Sequence, residues 1–155
     1  MSLEIKLTVN GNSHTADLEP TTALVDFLRD TLGYKGGKRC CNTGECGACT
    51  IIMDGKPVNS CVVLGADAAG TDVVTVEGIA EGDELHPVQQ AFIDTGAVQC
   101  GYCTPGFIVS LKALLDRTKN PTAEAVEEAI SGNICRCTGY TKIFDAVELA
   151  AKRMA

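Results

Sequence analysis

Alternating apolar and polar positions open the chain and predict a β-hairpin. Between residues 3 and 9 every second side chain is apolar, the spacing that puts one face of a strand against a core. Asn10-Gly11 follows, a dipeptide that favours tight hairpin turns, and the alternation resumes over residues 15–18. The two runs are therefore expected to pair as neighbouring strands.

A helix and an irregular loop are predicted next. Apolar residues at helical spacing run up to Gly33, which ends the helix, and either Thr21 or Thr22 can cap its N-terminus. From residue 36 to residue 47 the chain is rich in glycine and cysteine and has no regular period. This stretch is expected to be a loop.

Short strands complete the first half of the chain. Residues 48–53 precede the turn dipeptide Asp54-Gly55 and a return strand, and the valines within 73–76 suggest a closing strand. The pattern predicts that residues 1–78 form a small α+β unit.

Helical spacing takes over in the second half. The segment 77–84 is acidic and poor in large apolar residues, and we interpret it as the linker. Beyond it lie four apolar stripes at helical spacing: Val88, Ala91 and Phe92; Phe107, Leu111, Leu114 and Leu115; Val126 and Ile130; Ile143, Val147, Ala150 and Met154. The sequence therefore predicts an all-α domain of four helices over residues 79–155, after the α+β unit.

Charge and hydropathy argue against two kinds of partner. The net charge is −7 and the lysines and arginines are scattered, so no basic surface is offered to nucleic acid or to an anionic membrane. No apolar run reaches the ~18 residues of a membrane span, and residues 1–11 lack the regions of an export signal. We expect a cytoplasmic protein without membrane insertion.

Nine cysteines are the abnormal part of the composition. Disulfides are a poor explanation in a protein expected to be cytoplasmic, because cytosolic thiols are kept reduced. Metal ligation is the better interpretation. The cysteines fall into one group in each half: Cys40, Cys41, Cys46, Cys49 and Cys61, and then Cys100, Cys103, Cys135 and Cys137.

The first group has the spacing of a [2Fe–2S] site. Cys41, Cys46 and Cys49 match the plant-type run C-x4-C-x2-C, and Cys61 is available downstream as the fourth ligand. Structural zinc sites prefer paired short spacings or mixtures of cysteine and histidine, so the run favours an iron–sulfur cluster over zinc. Gly44 and Gly47 of this loop are expected to let the backbone approach the cluster and to point N–H groups at its sulfurs.

Cys40 is one cysteine more than such a site needs. From Cys40 the first spacing would be five residues rather than four, so Cys41 fits the ligand run better. We expect Cys40 to be a spare small residue packed near the loop.

The second group pairs two short motifs. Cys100 and Cys103 precede one predicted helix, and Cys135 and Cys137 lie between two others. A thioredoxin-like redox pair would require a βαβ setting, and this half shows no strands. Four thiolates from two loops suit a second [2Fe–2S] cluster, although by spacing alone the site also accommodates zinc.

No residues that would transform a substrate stand out. The chain has no GxGxxG loop and no complete P-loop, and no Ser-His-Asp or Cys-His pair stands out. We therefore interpret the chain as one that carries electrons for chemistry done elsewhere.

Four blocks of residues give a more specific interpretation. They read CNTGECGACT at 41–50, NSC at 59–61, QCGYCTPG at 99–106 and GNICRCTGY at 132–140. In this order they resemble the small iron–sulfur subunit of the xanthine dehydrogenase and aldehyde oxidase family, the molybdenum hydroxylases. Cys40 departs from the family, whose members usually have glycine there.

The resemblance implies a fold and two cofactors. It implies a plant-ferredoxin-like β-grasp domain followed by a four-helix domain, each holding one [2Fe–2S] cluster. The cysteines of the first group other than Cys40 would bind the cluster nearer the flavin, and those of the second group the cluster nearer molybdenum. Gln99 and Cys137 would contact the pterin.

The resemblance also implies partner subunits. Electrons would pass one at a time from a molybdopterin centre in a large subunit, through the two clusters, to FAD in a medium subunit. The complex would be a heterotrimer or its dimer. The alternative is a freestanding two-cluster ferredoxin that meets its partners by diffusion.

Overall fold

A five-stranded mixed sheet forms the first half of the protein. The computed structural model describes residues 2–155. The strands are β1 (Leu3–Val9), β2 (Asn12–Leu18), β3 (Thr50–Met53), β4 (Lys56–Asn59) and β5 (Asp72–Val74). Their order in the sheet is β2-β1-β5-β3-β4, with β1 and β5 parallel and the other neighbours antiparallel.

The predicted hairpin is confirmed. β1 and β2 pair antiparallel from Leu3 opposite Leu18 to Val9 opposite Asn12. Both turn residues, Asn10 and Gly11, have positive φ, as a two-residue turn of this hand requires. The second predicted turn, at Asp54 and Gly55, has the same signature and joins β3 to β4.

The predicted first helix is shorter than expected and is capped differently. An α-helix, α1, covers only Leu24–Asp26 and continues as a π-helical turn over Phe27–Thr31. The threonine cap is wrong, because tertiary pairing uses the residues before α1. Ala23 forms a β-bridge with Leu64, and Gly65 N–H donates to the Thr22 carbonyl oxygen at 2.8 Å.

Four helices follow the sheet, as the apolar stripes predict. They are α2 (Pro87–Asp94), α3 (Thr104–Arg117), α4 (Ala123–Ile130) and α5 (Thr141–Arg153). Every stripe residue is buried except Met154, which lies just past the end of α5 and is partly buried.

Two hydrophobic cores meet at the sheet. Ile51 points into the core that β1 and α1 share, whereas its neighbour Ile52 packs among the helices on the opposite face. Ile79, in the segment interpreted as a linker, is also buried in the helical core. The sheet is thus covered on both faces, and α3 lies against β3.

Among residues 2–155, no helix combines the length and the apolar character needed to cross a membrane.

Candidate metal centres

The β3–β4 hairpin positions two of the N-terminal cysteines. Cys49 lies just before β3, and Cys61 lies in the 3₁₀ turn Ser60–Val62 just after β4. The Ser60 hydroxyl donates to the Cys49 carbonyl oxygen at 2.7 Å, which holds the two strand ends together. The Cys61 thiol contacts the Cys49 thiol.

Cys41 and Cys46 lie in the glycine-rich loop between α1 and β3. The N–H groups of Thr43 and Cys46 both donate to Cys41 Sγ, each at 3.4 Å. Hydrogen bonds from the side chain and N–H of Thr43, joined by Cys46 N–H, lower the pKa of Cys41 to about 5. These hydrogen bonds therefore favour the thiolate form of Cys41 over the thiol.

Cys49 and Cys61 form the other half of this site, and Cys49 is more buried than Cys41 or Cys46. Burial, together with the neighbouring Cys49 thiol, raises the pKa of Cys61 to about 12, although Gly44 N–H donates to its sulfur. Gly44 has a φ of +79°, a conformation that glycine adopts without strain. The expectation that loop glycines present N–H groups to sulfur therefore applies to Gly44.

Cys40 does not pack into the protein as expected. Its side chain is exposed, although its thiol contacts that of Cys46. The neighbouring Arg39 guanidinium forms ion pairs with Asp26 of α1 and with Asp30 of the π-helical turn.

The C-terminal cysteines come from two loops that meet. Cys103 occupies the N-cap position of α3, and Cys135 and Cys137 lie in the segment between α4 and α5. The sulfurs of Cys137 and Cys100 are 3.6 Å apart, and the Cys103 thiol contacts that of Cys135. Because this segment is irregular, two cysteines separated by one residue can face the same pair of thiols.

Cys135 receives the densest hydrogen bonding of this group. Its sulfur accepts from the Thr138 hydroxyl at 3.1 Å and from the N–H groups of Cys137 and Thr138 at 3.4 Å. Burial raises the pKa of Cys135, but the hydrogen bonds together have the larger effect and lower it to about 7. Burial, joined by the neighbouring Cys135, raises the pKa of Cys103 to about 12.

The thiols approach one another in pairs. Among residues 2–155, no three Cys, His, Asp or Glu side chains converge on a point that would hold a single ion. The cysteines other than Cys40 form four contacting pairs: Cys41 with Cys46 and Cys49 with Cys61 in the first group, then Cys100 with Cys137 and Cys103 with Cys135 in the second. The exposed Cys40 adds a further contact with Cys46. Two pairs of thiolates are the donor set of a two-iron cluster, in which each iron takes two cysteines. The residues present therefore fit that group.

The two predicted pterin contacts lie at one exposed edge of the second site. Gln99 is exposed and directly precedes Cys100, and Cys137 is exposed as well. Cys135, in contrast, is buried. Cys100 and Cys137 are thus the outward-facing pair of this group.

The contacts that join the two sites are not predicted by the sequence. Ile134 N–H donates to the Cys46 carbonyl oxygen at 2.9 Å, the Asn133 side chain bonds to Gly47, and the Tyr102 hydroxyl donates to the Arg39 carbonyl oxygen. One signal was present: a polar Asn133 inside a cysteine motif. Its burial could not be deduced from the chain alone.

Two family models match consecutive parts of the chain. The 2Fe–2S iron–sulfur cluster binding domain matches residues 7–73, and the [2Fe–2S] binding domain matches residues 75–148. The nicotinate dehydrogenase small FeS subunit of Eubacterium barkeri is 47% identical over 153 residues, which cover 99% of this chain and 98% of that protein. The chain belongs to the small iron–sulfur subunits of the molybdenum hydroxylases.

Other members of this family agree in sequence and in structure. The xanthine dehydrogenase iron–sulfur-binding subunit of Escherichia coli O157:H7 is 43% identical, with coverage of 94% of this chain and 92% of that one. The crystal structure of quinoline 2-oxidoreductase from Pseudomonas putida 86 contains a chain that superposes with a TM-score of 0.94 at 39% identity, covering 97% of this chain and 94% of its own.

Membership of the molybdenum hydroxylase family answers the question left open by cysteine spacing. The chain binds two [2Fe–2S] clusters, so the zinc interpretation of the second group is discarded. The chain is an electron-transfer component of an oxidoreductase complex.

Proposed function

We propose that this subunit receives electrons from a molybdopterin centre in a large subunit and passes them one at a time to FAD in a medium subunit. The observation that carries the proposal is the arrangement of the two thiol groups. One group has an exposed pair, Cys100 and Cys137, and its loop is hydrogen-bonded to the loop of the other group through Ile134 and Cys46. The two sites therefore form a continuous route across the chain.

The proposed ligands follow from the thiol pairs. The cluster nearer the flavin is held by Cys41, Cys46, Cys49 and Cys61, and the cluster nearer molybdenum by Cys100, Cys103, Cys135 and Cys137. The hydrogen bonds to the sulfurs of Cys41 and Cys135 support this assignment, because N–H and O–H donors stabilise the negative charge of ligated thiolates.

The proposal includes a division into two domains. Residues 1–78 form a ferredoxin-like β-grasp domain, and residues 79–155 form a four-helix domain. The parallel pairing of β1 with β5 at the centre of the sheet supports the first assignment, and the change of family model between residues 73 and 75 supports the boundary.

The proposed partners follow from the exposed edge of the second site. Gln99 and Cys137 face the pterin of the large subunit, and the assembly is a heterotrimer or its dimer. None of the nine cysteines forms a disulfide, and thiolate ligands require reduced cysteines, which supports a cytoplasmic location.

Purification of the chain from its native source tests the proposal. We expect larger flavin- and molybdenum-containing chains to copurify, and about four irons per small chain, two for each cluster. An active, freestanding chain that holds its irons without larger partners would instead support the two-cluster ferredoxin.

Replacement of Gln99 tests the entry point of electrons. Gln99→Ala leaves every proposed ligand in place, so dithionite should reduce both clusters as in the parent complex while reduction by substrate slows. Gln90→Ala is the matched control, since Gln90 lies on α2 and bonds to Asp94. Equal rates of substrate-driven reduction in the two variants would contradict the proposed entry point.

A further inference from the structure

The loops that carry the two sites are in direct contact. Ile134, which precedes Cys135, donates its N–H to the carbonyl oxygen of Cys46 at 2.9 Å. Asn133 Nδ2 donates to the carbonyl oxygen of the adjacent Gly47 at 3.1 Å, across 86 positions of sequence. The contact therefore joins residues that lie within two positions of proposed ligands of both clusters.

Both the oxygen and the nitrogen of the Asn133 side-chain amide form hydrogen bonds at this contact. The residue is 5% exposed, and its Oδ1 accepts from the Ser110 hydroxyl of α3 at 2.8 Å. Its Nδ2 donates to the Gly47 carbonyl oxygen and, at 3.4 Å, to the Thr50 hydroxyl at the start of β3. Since an unpaired amide is costly in a buried site, these partners fix one orientation of Asn133.

Glycines allow the backbones to come this close. A Cβ atom added to Gly106, in the first turn of α3, would overlap the carbonyl oxygen of Gly47. A Cβ atom on Gly47 would overlap the Gly132 carbonyl oxygen and the Asn133 side chain, and Gly47 has a φ of +67°. A larger residue at Gly106 would push α3 away from the loop of Gly47, and one at Gly47 would separate the two loops.

We propose that Asn133 is a positioning residue that sets the separation of the two clusters and thereby the rate at which electrons pass between them. The proposal rests on the ligand assignment of the proposed function. Tunnelling rates fall exponentially with distance, so a group that fixes the two loops relative to one another controls the transfer step without contacting either iron. Asn133 is bonded to Ser110 in the helical half and to Thr50 at the start of β3. Such supporting hydrogen bonds lock the side chain in one geometry, which a positioning residue requires.

The test uses Asn133→Ala in the assembled complex. Each reduced cluster is paramagnetic, and the magnetic splitting between two such centres falls steeply as they separate. We expect the variant to retain its iron content and the position of each electron paramagnetic resonance signal, whereas the splitting should shrink or vanish. Substrate-driven reduction of the N-terminal cluster, which is the one proposed to lie nearer the flavin, should slow severalfold. Reduction of the C-terminal cluster should keep its rate.

Two controls separate positioning from stability. Val147→Ala removes buried apolar volume from the same helical core and should lower the melting temperature without changing the splitting. Ser110→Ala removes a bond inside the helical half and leaves the donation of Asn133 to Gly47 possible, so the splitting should change less than in Asn133→Ala. If Asn133→Ala does not assemble, Asn133→Ser replaces it, because serine is too short to reach Gly47.

The outcomes distinguish this inference from the proposed function. An unchanged splitting and an unchanged transfer rate in the Asn133 variant overturn the inference and leave the proposed function intact. A parent complex with fewer than two reducible clusters overturns the proposed function itself, and the inference with it.

Discussion

The hydroxyl of Thr138 should raise the reduction potential of the C-terminal cluster. It donates to Cys135 Sγ at 3.1 Å, and the N–H of the same residue donates at 3.4 Å. A donor to a ligand sulfur stabilises the reduced cluster more than the oxidised one, because the reduced cluster carries one more negative charge. Thr138→Val removes the hydroxyl and keeps the N–H, so the potential should fall.

The size of the shift follows from the strength of the bond. A hydrogen bond to a charged group contributes roughly 1.5–3 kcal/mol, of which only the difference between the two oxidation states affects the potential. If that difference is about 1 kcal/mol, the potential falls by about 40 mV, since 59 mV corresponds to about 1.4 kcal/mol for one electron. The N-terminal cluster should keep its potential, because Thr138 lies in the other loop.

A redox titration followed by electron paramagnetic resonance measures both potentials in one sample. Thr138→Ser is the control, because serine keeps the donor to Cys135 and the acceptor for Tyr140 N–H, which bonds to this oxygen at 3.3 Å. The reasoning is refuted if Thr138→Val leaves the potential unchanged, or if Thr138→Ser lowers it equally.

Two further predictions concern the extra cysteine and the cap of α2. Cys40→Ser should keep about four irons per chain, whereas Cys41→Ser should lose the N-terminal cluster and keep about two, and iron analysis that gave the reverse order would exchange their roles. Burial lowers the pKa of His86, whose neutral Nδ1 accepts from Val88 N–H at 3.2 Å. The stability that this neutral cap contributes is therefore fully present above pH ~6.5, the pKa of an unfolded histidine, and is lost as the pH falls through the lowered pKa of the folded state. The melting temperature should therefore fall less between pH ~7 and pH ~5 in His86→Asn than in the parent, and equal falls would contradict the titration of His86.

Local pattern predicted most of the regular structure. The hairpin at Asn10 and the four helical stripes depend on neighbours within a few residues, and those neighbours are visible in the chain. The first helix was the exception. Thr22 and Ala23 pair instead with Gly65 and Leu64, some forty positions away, and this tertiary pairing overrides the capping preference of the threonines. The expected packing of Cys40 is also wrong, because its side chain is exposed.

The sequence by itself determined the spacing of the cysteines within each loop, a local property of the chain, and from it predicts which cysteines would serve two clusters. It did not determine which thiols meet. That Cys100 faces Cys137 and Cys103 faces Cys135 follows from the packing of α3 against its neighbours. The contact of Asn133 with Gly47 likewise needs both halves folded, because a hydrogen bond across 86 positions forms only when two cores already hold its ends together.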